Sequence, residues 1–252
     1  MIREPMASFL RPVEIAIAAA VLASLAPAAV PPQIANSIAR NEATAIESLR
    51  TIAAAQARFK GGAHIDTNCD GVGEYGYFGE LAGTVPMRIS VGNPCIPGAG
   101  SPPDDNLFRP LLRSAFGAVR YSCVAHRGYI FQMWLPDRTN GNLPIPAVRE
   151  DRSGGKLAAP FPDPVHGAQM WCCYAWPVEY DRTGRRAFFI DQRGDVLEYS
   201  NRSANPFSGF PALPTYENGP PFDEAYSVPG DMGSPPRIGV PNAHGSIWWV
   251  VP

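Results

Sequence analysis

Asp66, Asn68 and Asp70 alternate along DTNCDGVGE (66–74), with Gly71 directly after them. Side-chain oxygens at every second position can be aimed at one point, and a glycine permits the sharp turn of a calcium loop. Glu74 stands where a further, or water-mediated, ligand would sit, whereas Tyr77 occupies the twelfth place, at which an EF-hand carries its bidentate glutamate. The loop is therefore expected to take calcium or, with no metal, to be an Asx-turn built on the same residues. The second reactive group is the set of five cysteines, Cys69, Cys95, Cys123, Cys172 and Cys173. In an exported chain they favour disulfides. Cys69–Cys95 would close the loop-rich region, and Cys123 would pair with one of the adjacent cysteines and leave one over. The alternative is buried free thiols. Neither zinc nor redox CxxC spacing is present. His64, His126, His166 and His244 are scattered, and no HExxH, GxSxG or Gly-rich phosphate loop occurs. The chain is read as non-enzymatic.

The elements that must position these groups start with two consecutive helical patterns. Residues 15–30, IAIAAAVLASLAPAAV, carry no charge, with Arg3 and Arg11 before them and Glu14 at their edge. The run is shorter than the roughly 20 residues of a comfortable transmembrane helix. Beyond Pro31 and Pro32, Ile38, Ala45, Leu49, Ile52 and Phe59 recur at steps of three, four and seven, while Arg40, Glu47, Arg50 and Arg58 take the other face. That is an amphipathic helix ending at Gly61-Gly62. An apolar helix that runs on into an amphipathic one is a single rod, half in membrane and half on a soluble domain.

The remainder reads as sheet and loops. RGYIFQMWLP (127–136), MWCCYAWPVEY (170–180), RRAFFIDQ (185–192) and DVLEYS (195–200) are strand-like, and 181–184 and 192–195 are turn chemistry between them, which predicts an antiparallel meander. Segment 107–116 is a candidate short helix. Stretches 92–105, 137–168 and 201–246 read as Pro/Gly-rich connections. Helix first and antiparallel strands later is the α+β order, with the sheet covering the helix stripe. Trp134, Trp176, Phe188 and Phe189 are expected in the core. Among 252 residues, 28 Pro and 24 Gly require much irregular structure, and charged residues, at 17%, fall below the usual quarter. A net charge of −2, with only Lys60 and Lys156 as lysines, argues against a nucleic-acid partner and a polybasic membrane patch.

The N-terminal residues resemble type IV pilins and type II secretion pseudopilins. In those families a short basic leader precedes an apolar helix with a glutamate four residues after the mature N-terminal residue and a helix-kinking proline seventeen beyond it. With Leu10 as the mature start, Glu14 and Pro31 fall at those places. LASLAPAAVPPQIANSIAR then looks like the apolar end, proline and amphipathic continuation. Phe9 stands where the prepilin peptidase prefers glycine, and Pro12 replaces a usual apolar or hydroxyl residue. The resemblance covers residues 10–60 and extends more weakly to NEATAIESLRTIAAAQARF, DTNCDGVGEYGYFGELAG and YAWPVEYDRTGRRAFFIDQRGDVL, which look like segments of large pilin-like proteins. It implies a leader at 1–9, a helix at 10–60 (anchor and assembly half 10–33, amphipathic half 34–60) and a globular head at 61–252. It also implies a single-pass inner-membrane subunit with a periplasmic or extracellular head, whose partners are prepilin peptidase and other pilin-like subunits in a filament. Glu14 would pair with the N-terminal amine of a neighbouring subunit. The rival expectation is a secreted or periplasmic binding or enzymatic domain behind an ordinary signal peptide cut near Ala26-Pro27-Ala28.

Overall fold

The computed structural model describes residues 32–138, 144–211 and 218–252. Its first element is α1 (Pro32–Gly61), a helix about 45 Å long at 1.5 Å per residue. Ile38, Glu42, Ala45, Ser48, Leu49, Ile52, Ala55, Gln56 and Phe59 are its buried residues. Their spacing of three and four draws one stripe along the rod, as the periodicity predicts. The first turn has no such contact: Pro32, Gln33, Ala35 and Asn36 are exposed. The helix ends where Gly62 N–H donates to the Arg58 carbonyl.

Short elements lead from α1 to the sheet: α2 (Phe78–Leu81), the hairpin of β1 (Arg88–Val91) with β2 (Ile96–Ala99), and a 3-10 turn at Ser114–Gly117. The helix expected at 107–116 is replaced by this turn, and the connection expected at 92–105 contains β2. The main sheet is antiparallel throughout. It holds β3 (Val124–His126), β4 (Tyr129–Pro136), β5 (Ala147–Arg149), β6 (Cys172–Pro177), β7 (Ala187–Asp191), β8 (Leu197–Tyr199) and β9 (Trp248–Val250). The order is β3-β4-β6-β7-β8-β9, with β5 also paired to β4. A one-turn helix, α3 (Pro164–Gly167), precedes β6; its Asp163 side chain accepts from His166 N–H. The chain is thus α+β, with a long helix on an antiparallel sheet.

The sheet is buried on both faces. Tyr129, Phe131, Met133, Cys173, Ala175, Phe188 and Ile190 point toward α1 and pack with Leu49, Ile52 and Phe59. Ile130, Trp134, Cys172, Tyr174, Trp176 and Phe189 point the other way, onto Ala225, Tyr226, Met232 and Trp248. The segment expected to be a mere connection therefore supplies the second cover. Aromatic polar tips tie it down: Tyr174 Oη donates to the Phe222 carbonyl (3.0 Å) and accepts from Ala225 N–H (2.9 Å), and Trp176 Nε1 donates to the Gly209 carbonyl (2.9 Å). Trp134, Trp176, Phe188 and Phe189 are all core, as expected.

Polar clamps seat α1. Gln56 donates to the Gly76 carbonyl (2.7 Å) and accepts from Gly76 N–H (3.0 Å), acting as a strand partner would. A Cβ on Gly76 would stand 2.7 Å from the Phe59 ring, so the chain passes here only as glycine. Near the other end, Glu42 accepts from the backbone N–H groups of Arg185 (2.9 Å) and Arg186 (3.1 Å) and from Arg186 Nε (2.8 Å). Ile52, fully buried in the stripe, makes a direct test. Ile52→Ala should cost about 2–5 kcal/mol in urea unfolding, and Arg50→Ala on the exposed face should stay within about 0.5 kcal/mol.

Candidate functional site

The acidic loop, its disulfide and a buried ionic cluster occupy one stretch, residues 65–95. Asp66 and Asp70 are each turned to their own loop's backbone. Asp66 Oδ1 accepts from Asp70 N–H (3.1 Å) and Oδ2 from Gly71 N–H (2.9 Å). Asp70 Oδ1 accepts from Val72 N–H (2.8 Å) and Oδ2 from the Asn68 amide (2.8 Å). All four carboxylate oxygens thus hold a hydrogen bond, in the manner of an Asx-turn. Among the described residues no group of three or more His, Cys, Asp or Glu side chains converges as metal ligands would.

Cys69, with φ of 59°, reaches across to Cys95 in a disulfide that joins this loop to the β1–β2 hairpin. Closing a separation of 26 residues is worth about 3.5 kcal/mol in the chain-entropy account. The second expected bridge is absent. Cys123, Cys172 and Cys173 are buried free thiols, and burial pushes each of them well above the ordinary thiol range. Cys172 and Cys173 face opposite sides of the sheet, so a single partner could not serve both.

Glu74 is not a loop ligand but a core residue. Its Oε1 accepts from Thr67 N–H (2.7 Å), and its Oε2 pairs with Arg88 Nη1 at 3.1 Å. Arg88 is also buried and reaches Glu80 through Nε (3.0 Å) and the Tyr75 carbonyl through Nη2 (2.6 Å). Glu80 accepts from Tyr77 N–H (2.8 Å), which caps α2. The Tyr77 ring lies under the guanidinium at 5.5 Å, and its hydroxyl donates to the Val148 carbonyl. Burial raises the Glu74 carboxyl and Arg88 partly offsets that, whereas the two carboxylates hold the Arg88 guanidinium above its usual value against burial. Sequence spacing offered no sign of this cluster, because its charges come from three separate elements.

Close by, Glu150 is buried and held by backbone amides. Its Oε2 accepts from Gly155 N–H (3.1 Å) and Gly79 N–H (3.4 Å), and Oε1 has no partner. Burial pushes its carboxyl up to about 8.

Beside the N-terminal turns of α1, a cavity of about 360 Å³ lies against the last strands, lined by Ala35, Ile38, Glu42, Arg186, Glu198 and Trp249. Arg186 bridges Glu42 and Glu198 there. Trp249 is 55% exposed, and Ile238, Val240 and Val250 beside it are nearly half exposed. Phe9, Leu10, Glu14 and Pro31 lie outside the described residues, as does the uncharged run 15–30. Among the described residues no helix is long and apolar enough to cross a membrane. No family model, curated protein or solved structure matches the chain.

Two measurements check the buried charges. Arg88→Met leaves Glu74 and Glu80 uncompensated and should cost about 3–5 kcal/mol, part of which Glu80→Gln in the same chain should recover. A carboxyl whose value rises from 4.5 to about 8 on folding binds its proton more tightly in the folded state, so stability falls as pH climbs through that window. The melting temperature should be higher at pH 5 than at pH 8, and Glu150→Gln should shrink that difference.

Proposed function

We propose that the chain is a structural subunit of a filament of the type IV pilin or type II secretion pseudopilin kind. The observation that carries this reading is α1 itself. A 30-residue helix is seated on a sheet by its stripe from Ile38 to Phe59, while its first turn is exposed and is entered from an uncharged sequence. A rod of that design can be shared between a head and a bundle of neighbouring rods. The exposed apolar edge around Trp249 offers a lateral surface of the kind subunit contacts use. Glu14 is then the group that needs a partner, because an isolated carboxylate in an apolar helix is costly. The amine of a neighbouring Leu10 would satisfy it and set the axial register.

The mature N-terminus tests this reading. Leu10, recovered as the first residue from a membrane fraction, supports it; a soluble monomer beginning after Ala28 belongs to a secreted domain behind a signal peptide and overturns it. Glu14→Ala should leave membrane insertion intact and abolish assembly.

Calcium at Asp66, Asn68 and Asp70 is a second proposal. The donors are all oxygen, as a hard cation requires, and each carboxylate oxygen keeps a lone pair beyond the one amide it accepts. Calcium at a hundredfold excess over its dissociation constant would add about 2.7 kcal/mol. Chelator should lower the melting temperature of the oxidised protein, calcium should restore it, and Asp70→Ala should remove the response. Melting indifferent to both leaves the Asx-turn alone.

A further inference from the structure

We propose that the cavity between α1 and the β3–β4 hairpin, ringed by Arg40, Arg113, Arg127 and His126, binds a phosphate monoester. It measures about 450 Å³, within the range of small-ligand pockets, and Asn41 and Thr44 complete its wall. Three separate parts of the chain meet there. Arg40, Asn41 and Thr44 come from α1, Arg113 stands at the head of the 3-10 turn, and His126 and Arg127 come from the end of β3 and its turn into β4. Along β3, His126 falls on the same face as Val124, which packs in the core beneath α1, and its ring lies 5.1 Å from that of Phe116. His126 pairs with Tyr129, so Arg127 and Gly128 form a two-residue hairpin turn, with φ of 49° and 82°. Asparagine, aspartate or glycine suits the first of these places, and an arginine is held there at a cost in backbone energy.

The charges of the wall fix the sign of the ligand. It carries three guanidiniums and no carboxylate. Among the described residues none of Arg40, Arg113 and Arg127 has an ion-pair partner. Carboxylates close along the chain are already engaged: Glu42 by Arg186, and, on the turn whose Thr183 carbonyl accepts from Asn41, Glu179 by Arg182 and Asp181 by Arg185. Glu47, which lines only an adjoining cavity, pairs with none of the three. Burial, and then the charges of Arg127 and Arg113, push the His126 imidazole below its usual value, as an uncompensated positive field does. Like charges gathered round one concave site draw anions into it.

The geometry of the donors and the neighbouring wall fix the rest. A guanidinium fork matches carboxylate or phosphate oxygens, but three forks outnumber the two oxygens of one carboxylate. A phosphate monoester brings three terminal oxygens and roughly two negative charges at neutral pH. The adjoining cavity, of about 290 Å³, shares Thr44, Arg113 and His126 with this one and adds the apolar surfaces of Leu112 and Phe116, which suit the organic body of an ester. This inference goes beyond the filament reading and does not rest on it, since the site lies within one chain and its readout is binding alone.

The test follows the His126 imidazole resonances of the full chain in nonionic detergent at neutral pH, assigned from His126→Gln, with phenyl phosphate as the probe. Phenyl phosphate should shift them saturably, while phenol should leave them in place. By calorimetry benzoate should bind at least tenfold more weakly than phenyl phosphate. Arg40→Gln, Arg113→Gln and Arg127→Gln, all at exposed positions where folding is not at risk, should each weaken phenyl phosphate threefold or more, and together at least thirtyfold. Arg50→Gln, on the exposed face of the same helix but outside the cavity, should stay within twofold. Doping the micelles with phosphatidic acid separates two sources of the phosphate. A His126 shift on doping assigns the site to a lipid headgroup, and its absence, with phenyl phosphate still bound, to a free ester. Signals unmoved by both, benzoate as tight as phenyl phosphate, or affinity in the triple variant no lower than in Arg50→Gln overturns the proposal.

Discussion

One face of α1 must be kept from water, and the rest of the fold is arranged around that requirement. The stripe from Ile38 to Phe59 needs an apolar surface wide enough to lie on, and an antiparallel sheet turns alternate side chains to it: Phe131 and Met133 from β4, Cys173 and Ala175 from β6, Phe188 and Ile190 from β7. Those strands cannot alternate apolar and polar residues, because the side chains between are also enclosed. Every residue of β4, β6 and β7 is buried. A sheet loaded on one face by a helix would otherwise expose a second apolar face, and Phe207, Phe210, Phe222, Ala225, Tyr226 and Met232 cover it. Those residues form little regular structure, so their backbone groups are met by Tyr174, Trp176, Asn201 and Trp248 rather than by a ladder.

The polar interior divides into groups that are compensated and groups that are not. Arg88 faces two carboxylates and a carbonyl, and its donors are largely satisfied. Such a cluster adds little net stability over an apolar replacement, yet it punishes the loss of any one member. It ties the α1–α2 connection, α2 and β1 together at a place where the chain has almost no regular structure. Glu150 lies near this cluster and is met by two backbone amides, and burial pushes its carboxyl up to about 8.

Much of this was legible in the amino-acid sequence. The heptad-like steps through Leu49, Ile52 and Phe59 mark α1 to its last turn, because a helix face depends on spacing alone. The four strand-like runs correspond to β4, β6, β7 and β8 for the same reason. The short strands β1, β2, β3, β5 and β9 were not legible. Three or four residues give no period, and their pairing is decided by neighbours far along the chain, as when Trp248–Val250 adds to β8. The second cover was not expected, although continuous runs such as MWCCYAW and AFFI are what strands buried on both faces look like. What the sequence could not show was the partner, since 201–246 has composition but no pattern. The Asp66–Asp70 loop was legible as a loop; the Arg88 cluster was not, because residues 74, 80 and 88 become neighbours only through the turn at α2.

The hold on α1 changes in kind along its length, and that gradient bears on what the helix can transmit. From Ala45 to Phe59 the contact is apolar and close-packed, with Gln56 fixing the register on Gly76. Toward the N-terminus it becomes polar: Asn41 donates to the Thr183 carbonyl (2.9 Å), and Glu42 gathers the backbone of Arg185 and Arg186 before Arg186 passes on to Glu198. Apolar contacts tolerate small sliding, whereas a carboxylate that accepts two backbone N–H groups and a guanidinium is tied to one orientation. The Glu42 clamp therefore ties the orientation of α1 to the backbone of Arg185 and Arg186. On the filament reading, any load carried through residues before Pro32 reaches the head at this clamp and at β7, which Arg185 and Arg186 lead into. The apolar stripe beyond it would then serve to keep the helix seated, and the clamp to keep it aligned.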